Sequence, residues 1–214
     1  MWKKQMTFKE YEERIKNSLA KYIRDKKQDD RYTELILGLY EEAGEVTSLI
    51  RRTIKGNFHE TSIDLKHLAE EVGDVLWYIT HVSIQLPDVS LQGVVQNNLE
   101  KVEGKDVKIQ EINIKQYLEN VPNTYREEIP KIQQERLRYF CLGLIKEAGE
   151  ISKLFGEHRI NGTNLDVEKV EEKLGDSLWY LTAICDTYQL DLEQIAKDNI
   201  EKVYGRYKKD GKLR

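Results

Sequence analysis

The sequence is poor in the residues that interrupt helices. Three prolines and thirteen glycines in 214 residues are well below the usual share, which argues against sheet-rich and loop-rich folds built on tight turns. Two cysteines, Cys141 and Cys185, show no CxxC or other metal-site spacing. Both sit in apolar helical patterns and read as reduced core thiols, which fits a cytoplasmic protein. No apolar run approaches the ~20 residues that span a bilayer; the longest are of the kind Val75-Leu76-Trp77-Tyr78-Ile79. The opening Met-Trp-Lys-Lys-Gln-Met is not followed by the apolar core of a signal peptide, so neither export nor membrane attachment is expected. A dominant charge is lacking too. Thirty-four basic and 38 acidic residues leave −4, with no basic field for duplex nucleic acid.

What is present is charge in quantity, 34% of residues, beside 39% apolar ones. That is the composition of amphipathic helices, each with a long wet face. The sequence also repeats. Leu37-Gly38-Leu39-Tyr40-Glu41-Glu42-Ala43-Gly44-Glu45-Val46 returns as Leu142-Gly143-Leu144-Ile145-Lys146-Glu147-Ala148-Gly149-Glu150-Ile151. Gly73-Asp74-Val75-Leu76-Trp77-Tyr78 returns as Gly175-Asp176-Ser177-Leu178-Trp179-Tyr180, and Asn98-Leu99-Glu100-Lys101-Val102 as Asn199-Ile200-Glu201-Lys202-Val203. A weaker opening pair, Phe8 to Tyr11 and Ile114 to Tyr117, keeps the same order. Four blocks in one order at nearly constant spacing mark a duplicated unit of about 100 residues. We divide the chain into residues 1–108 and 109–214.

Each unit reads as four helices, and nothing alternates with period two long enough for a strand. In the first unit Thr7 and Glu10 form a capping box before the stripe Phe8, Tyr11, Ile15, Leu19 and Ile23. A second helix is expected from Arg31 to Lys55, ended by Gly56-Asn57. A third starts near Ser62 and runs to Leu86-Pro87-Asp88, and a fourth runs from Ser90 to Glu103. The second unit repeats this from Asn113, with helices over Pro130 to Gly156, Val167 to Tyr188 and Leu192 to Tyr207. Apolar residues on more than one face of the second and third helices call for a further partner surface. The short charged joint from Gly104 to Asn113 allows the units to pack as an intramolecular pair related by a pseudo-twofold axis.

The chemistry lies in the acids of the first unit. Glu42 and Glu45 share one face of the second helix, and Glu71 and Asp74 one face of the third. Carboxylates brought together between packed helices repel one another unless a cation lies among them, and hard oxygen ligands suit Mg²⁺. A ferritin-like di-iron site would need Glu-x-x-His. None of His59, His67, His81 or His158 has it, and His67, with Asp64 three residues before it, reads as a solvated helix start.

Glu41-Glu42-x-x-Glu45 followed by Glu71-x-x-Asp74, in the context EEAGEV, EEVGDVLWYI and NNLEKV, resembles the EExxE…ExxD signature of the MazG-like, all-α nucleoside triphosphate pyrophosphohydrolases. The resemblance implies hydrolysis of a (d)NTP to a monophosphate and pyrophosphate, for house-cleaning or control of the nucleotide pool. It makes Glu42, Glu45, Glu71 and Asp74 the Mg²⁺ ligands; a spare carboxylate, Glu42 or Glu45 by preference and Glu41 after them, is expected to serve as general base. Tyr78 would line the nucleotide pocket, and Asn98 and Lys101 would meet sugar or phosphate. The second unit departs from the signature: Lys146 replaces Glu41 and Lys173 replaces Glu71, which leaves Glu147, Glu150 and Asp176 with Glu172 out of register. An ammonium in a ligand position makes that site metal-poor or dead. The second unit keeps Asn199, Lys202 and Arg206, and Lys202 or Arg206 is expected to reach across to the first site. The family pairs its units as dimers, so the chain is expected to be a monomeric pseudo-dimer or a further homodimer. The rival reading is a catalytically weak nucleotide-binding or regulatory bundle.

Overall fold

A computed structural model of the chain describes residues 5–55, 63–105 and 111–209, with the side chains of residues 21, 22, 55 and 206–209 outside that description. The expected cap at Gly56-Asn57, the start at Ser62, His59 and most of the joint between units lie outside the described residues. Every extended element among the described residues is a helix: α1 (Phe8–Ile15), α2 (Lys21–Arg24), α3 (Gln28–Lys55), α4 (Leu65–Gln85), α5 (Leu91–Glu103), α6 (Ile114–Asn120), α7 (Gln133–Asn161), α8 (Val167–Tyr188) and α9 (Leu192–Lys209), with a 3-10 turn at Val121–Thr124. The all-α, two-unit reading holds.

Local chemistry sets most of the boundaries. The Thr7–Glu10 capping box is formed in both directions. Asp64 caps α4 through the amides of Lys66 and His67, Ser90 caps α5 through Gly93, and Asp166 caps α8 through Lys169. Gly104 closes α5 and Gly162 closes α7, each in the left-handed conformation that a glycine adopts without strain. Two expectations need correction. The first stripe is buried from Phe8 to Ile23 as predicted, yet the helix breaks after Ile15. Ser18 is turned inward there, where its hydroxyl receives the Trp77 indole N–H at 2.8 Å. The long helix of the second unit does not stop at Gly156 but runs on to Asn161. Phe155 is buried against Tyr32, ring centroids 4.9 Å apart, and that contact carries the helix past the glycine.

The core is built on two antiparallel hairpins, α3 with α4 and α7 with α8. They meet along α3 and α7, which also run antiparallel: Arg159 pairs with Asp30 at 2.7 Å, while Arg51 and Ile54 share a groove with Arg138 and Cys141. Leu39, Ala43, Val46 and Ile50 of α3, Val72, Val75, Leu76 and Ile79 of α4, and their repeats Leu144, Ala148, Ile151, Leu174, Leu178 and Leu181 are all closed to solvent. At ~25 cal/mol per Å² of apolar surface, this continuous core is the main source of stability.

The fourth helices do not stay with their own units. α9, from the second unit, packs on α4 of the first, and α5, from the first, packs chiefly on α8 of the second. α4 is therefore covered by α3, α8, α9 and α5, the additional partner surface that its apolar faces require. The two chain segments that open the units are also tied together. Thr7 bridges Asn113, the Phe8 amide donates to the Ile112 carbonyl at 3.1 Å, and the Ile114 amide donates to the Met6 carbonyl at 3.0 Å.

Candidate active site

The register of the α3–α4 hairpin builds the first site. Tyr78 lies across Gly38, where a Cβ would come within 2.3 Å of the ring, so the glycine lets the helices close to this distance. The same register sets Asp74 and Glu71 opposite Glu42. Carboxylate oxygens of Glu42, Glu71 and Asp74 all lie within 4.8 Å of one another. A second group, Glu45, His67 and Glu71, meets the same criterion and shares Glu71 with the first. His67 Nε2 stands 2.8 Å from Glu71 Oε1. His67, read from sequence as a solvated helix start, thus faces the acids; the signal was the i, i+4 spacing of His67 and Glu71 rather than Glu-x-x-His.

Burial combined with this like-charge crowding is costly. Desolvation, the Asp74 charge and the Glu71 carboxyl together push the Glu42 carboxyl from 4.5 up to about 8. Glu42 therefore carries a proton near neutral pH in the absence of a cation. Glu71 is buried, Glu42 and Asp74 are half-buried, and Glu45 and Glu41 are exposed. Tyr78, expected at the nucleotide pocket, is half-buried between α3 and α4 and stands edge-on to Trp77, with ring centroids 4.8 Å apart.

α9 completes this cluster. Asn199 donates to Asp74 Oδ1 at 3.0 Å, and its own oxygen accepts from the buried Tyr11 hydroxyl at 2.9 Å. Lys202 donates to Asp74 Oδ2. Gly73 makes the approach possible, since the Asn199 Cβ sits only 3.2 Å from where a side chain on that glycine would begin. The reach of Lys202 across the units is as expected. The side chain of Arg206 lies outside the described residues.

Asn98 and Lys101 require a correction. They do not stand at the first-unit acids but at the other site. Asn98 donates to Asp176 Oδ1 at 3.3 Å and accepts from the Tyr117 hydroxyl at 2.9 Å. Lys101 contacts Asp176 at 2.7 Å and Glu172 at 2.6 Å. The physical reason is the exchange of fourth helices, which carries each Asn-x-x-Lys pair onto the opposite hairpin. Tyr11–Asn199–Asp74 and Tyr117–Asn98–Asp176 are the same construction built twice, and the weak opening repeat supplies both tyrosines.

In the second site lysines occupy the space between the acids. Glu147, only 3% exposed, has Lys146 Nζ at 2.6 Å and Lys173 Nζ at 3.0 Å. Lys173 also stands 3.8 Å from Asp176. Glu147, Asp176 and Glu172 thus face three ammonium groups, and no metal-sized cluster of acids forms there among the described residues.

One antiparallel hairpin, α3 with α4, converges E-x-x-E and E-x-x-D acids in an all-helical chain whose duplicated halves exchange helices, and the cluster is a carboxylate donor set of the kind that suits a hard divalent cation. The MazG nucleotide pyrophosphohydrolase domain matches residues 31–109 and 137–210, most of the chain in two tandem segments, and the chain belongs to that family. The "Gene 37 protein" of Mycobacterium phage L5 is 34% identical over 70 residues, 32% of this chain. The chain spans 60% of the length of that curated relative. No solved structure matches the chain significantly.

Proposed function

We propose that the protein is a Mg²⁺-dependent pyrophosphohydrolase that cleaves a nucleoside or deoxynucleoside triphosphate to its monophosphate and pyrophosphate, with one working site per chain. A single contrast carries this reading. The first-unit acids crowd without enough positive charge to balance them, whereas the second-unit acids are neutralised by Lys146, Lys173 and Lys101. Glu42, Glu71 and Asp74 would hold the metal, and Glu45 completes the quartet from the rim. The all-carboxylate donor set fits a hard divalent ion, and the proton that Glu42 retains without one is the mark of the missing charge. When bound, Mg²⁺ supplies the charge that draws the polyphosphate in and makes water easier to deprotonate.

The remaining tasks fall to side chains of this chain. Glu45, exposed beside His67 and Glu71, takes the proton of the attacking water, with Glu42 as the alternative base. Lys202 meets the negative charge that develops on the departing pyrophosphate. Asn199, held by Tyr11, fixes the rotamer of Asp74. Water attacks the α phosphorus and gives its proton to that base, the bond from the α phosphorus to the bridging oxygen breaks and pyrophosphate leaves with that oxygen, so no covalent enzyme intermediate is needed.

Pyrophosphate release across a panel of (d)NTPs with Mg²⁺ tests the reading. Turnover is expected, with loss of at least a hundredfold in Glu42→Gln and Asp74→Asn proteins that remain folded. Turnover by both variants at the wild-type rate would refute the assigned site. Nucleotide binding without pyrophosphate release would leave the chain a nucleotide-binding bundle.

A further inference from the structure

Asp64 caps α4 by accepting from the backbone amides of Lys66 and His67, the latter at 3.1 Å. The cap fixes His67 in the first turn, on the same face as Glu71 four residues on. The His67 side chain is 47% exposed and that of Glu71 only 11%, so the imidazole stands at the mouth of the acidic cluster. Glu45 comes from α3 to meet them. One ligand atom each from Glu45, His67 and Glu71 lie within 4.8 Å of one another, and Glu71 belongs also to the all-carboxylate group with Glu42 and Asp74. The donors of the two groups differ in kind. Carboxylates alone suit hard ions such as Mg²⁺, whereas an imidazole nitrogen favours first-row transition ions.

The duplication provides an internal comparison. The same cap returns in the second half, where Asp166 accepts from the Lys169 amide at 3.0 Å. Lys169 therefore holds the place of His67, and Lys173 that of Glu71. Of the all-carboxylate group the second half keeps Glu147 and Asp176; of the mixed group it keeps only Glu150. A lysine serves where charge alone is wanted. Imidazole differs from ammonium in having a lone pair to give to a metal.

We infer that His67 is a metal ligand: with Glu45 and Glu71 it makes a mixed nitrogen–oxygen position, joined through Glu71 to the all-carboxylate one, that takes a first-row transition ion such as Mn²⁺ in preference to Mg²⁺. This rests on the metal-dependent reading above and adds to it a choice of ion. A carboxylate has two oxygens, so ligation through one leaves Glu45 the other with which to accept the proton of water.

Pulsed electron paramagnetic resonance of the full-length protein loaded with Mn²⁺ reads a coordinated nitrogen directly, through its hyperfine coupling. The wild type is expected to show an imidazole nitrogen whose coupling changes when histidine is isotope-labelled, and His67→Gln is expected to lose it. In calorimetric titrations the same substitution should weaken Mn²⁺ binding at least fivefold and leave Mg²⁺ binding within twofold. Circular dichroism checks the fold, and His67→Ala supplies the same readings should His67→Gln misfold. Mn²⁺ bound to the wild type without a nitrogen coupling, or with one that survives in the folded variant, overturns the assignment of His67 and leaves the all-carboxylate site and the catalytic reading standing. Equal weakening of both ions overturns the choice of ion. A wild type that binds neither Mn²⁺ nor Mg²⁺ overturns the metal-dependent reading itself.

Discussion

Replacing Glu42 by glutamine tests the electrostatics of the first site directly, because it removes a charge and keeps the shape. In the folded, metal-free protein this carboxyl ionises near pH 8 instead of 4.5. Below pH 4.5 it is protonated in both folded and unfolded chains and contributes nothing to the pH dependence. Between 4.5 and 8 the unfolded chain gives up the proton while the folded one keeps it. Stability therefore falls as pH rises through this window and levels off above it. A fully buried carboxyl shifted this far would lose about 5 kcal/mol. Glu42 is only half-buried, so solvent screening reduces the expected loss to about 1–2 kcal/mol. The neutral amide has no such dependence, and Glu42→Gln should exceed the wild type by that amount at pH 8.5 and equal it near pH 4.5. For a chain of this size that is a difference of roughly 2–8 °C in Tm. Adding Mg²⁺ should reverse the order, raising the Tm of the wild type and scarcely that of the variant. Thermal unfolding followed by circular dichroism, with EDTA and with Mg²⁺, measures all four conditions. Parallel pH profiles for the two proteins, or equal stabilisation by Mg²⁺, would refute the reasoning.

Four further outcomes are expected. Lys173→Met should destabilise the protein by about 2–4 kcal/mol in urea titration, because Glu147 is buried and loses one of its two counter-charges. Asp176→Asn, by contrast, should lower the hydrolysis rate less than threefold. Gly38→Ala should cost about 1–3 kcal/mol, since Tyr78 must leave its place, and should lower activity with it through the spacing of Glu42 and Asp74. Residues 1–108 expressed alone lack Asn199 and Lys202; they should form a homodimer in which Asn98 and Lys101 of each copy face Asp74 of the other, and sedimentation of a stable monomer would count against the exchange.

Much of this arrangement is legible in one dimension because the duplication states it twice. The repeated blocks mark the helices, and the ExxE and ExxD pairs mark the faces that meet. Periodicity tells which side of a helix is buried but not which helix buries it. Asn98 and Lys101 follow the first acids in the chain, and adjacency in sequence suggests adjacency in space; the exchange of α5 and α9 breaks that link. His67 escapes notice for a related reason. Its partner Glu71 lies one turn away on the same helix, and only the register with α3 brings Glu45 beside both. The run of α7 past Gly156 depends on Phe155 meeting Tyr32 of the other half, a contact between distant residues that local propensity does not register.

The exchange of fourth helices has a consequence for how the two halves have been free to diverge. Two separate polypeptides of this design would assort at random, and every drift in one would be shared between like and unlike pairs. Joined through residues 104–113, each molecule instead receives one copy of each half in fixed proportion. The second half can then surrender its own acids to lysine, provided that it continues to lend Asn199 and Lys202. Its selection acts on what it delivers to its neighbour rather than on what it once held for itself.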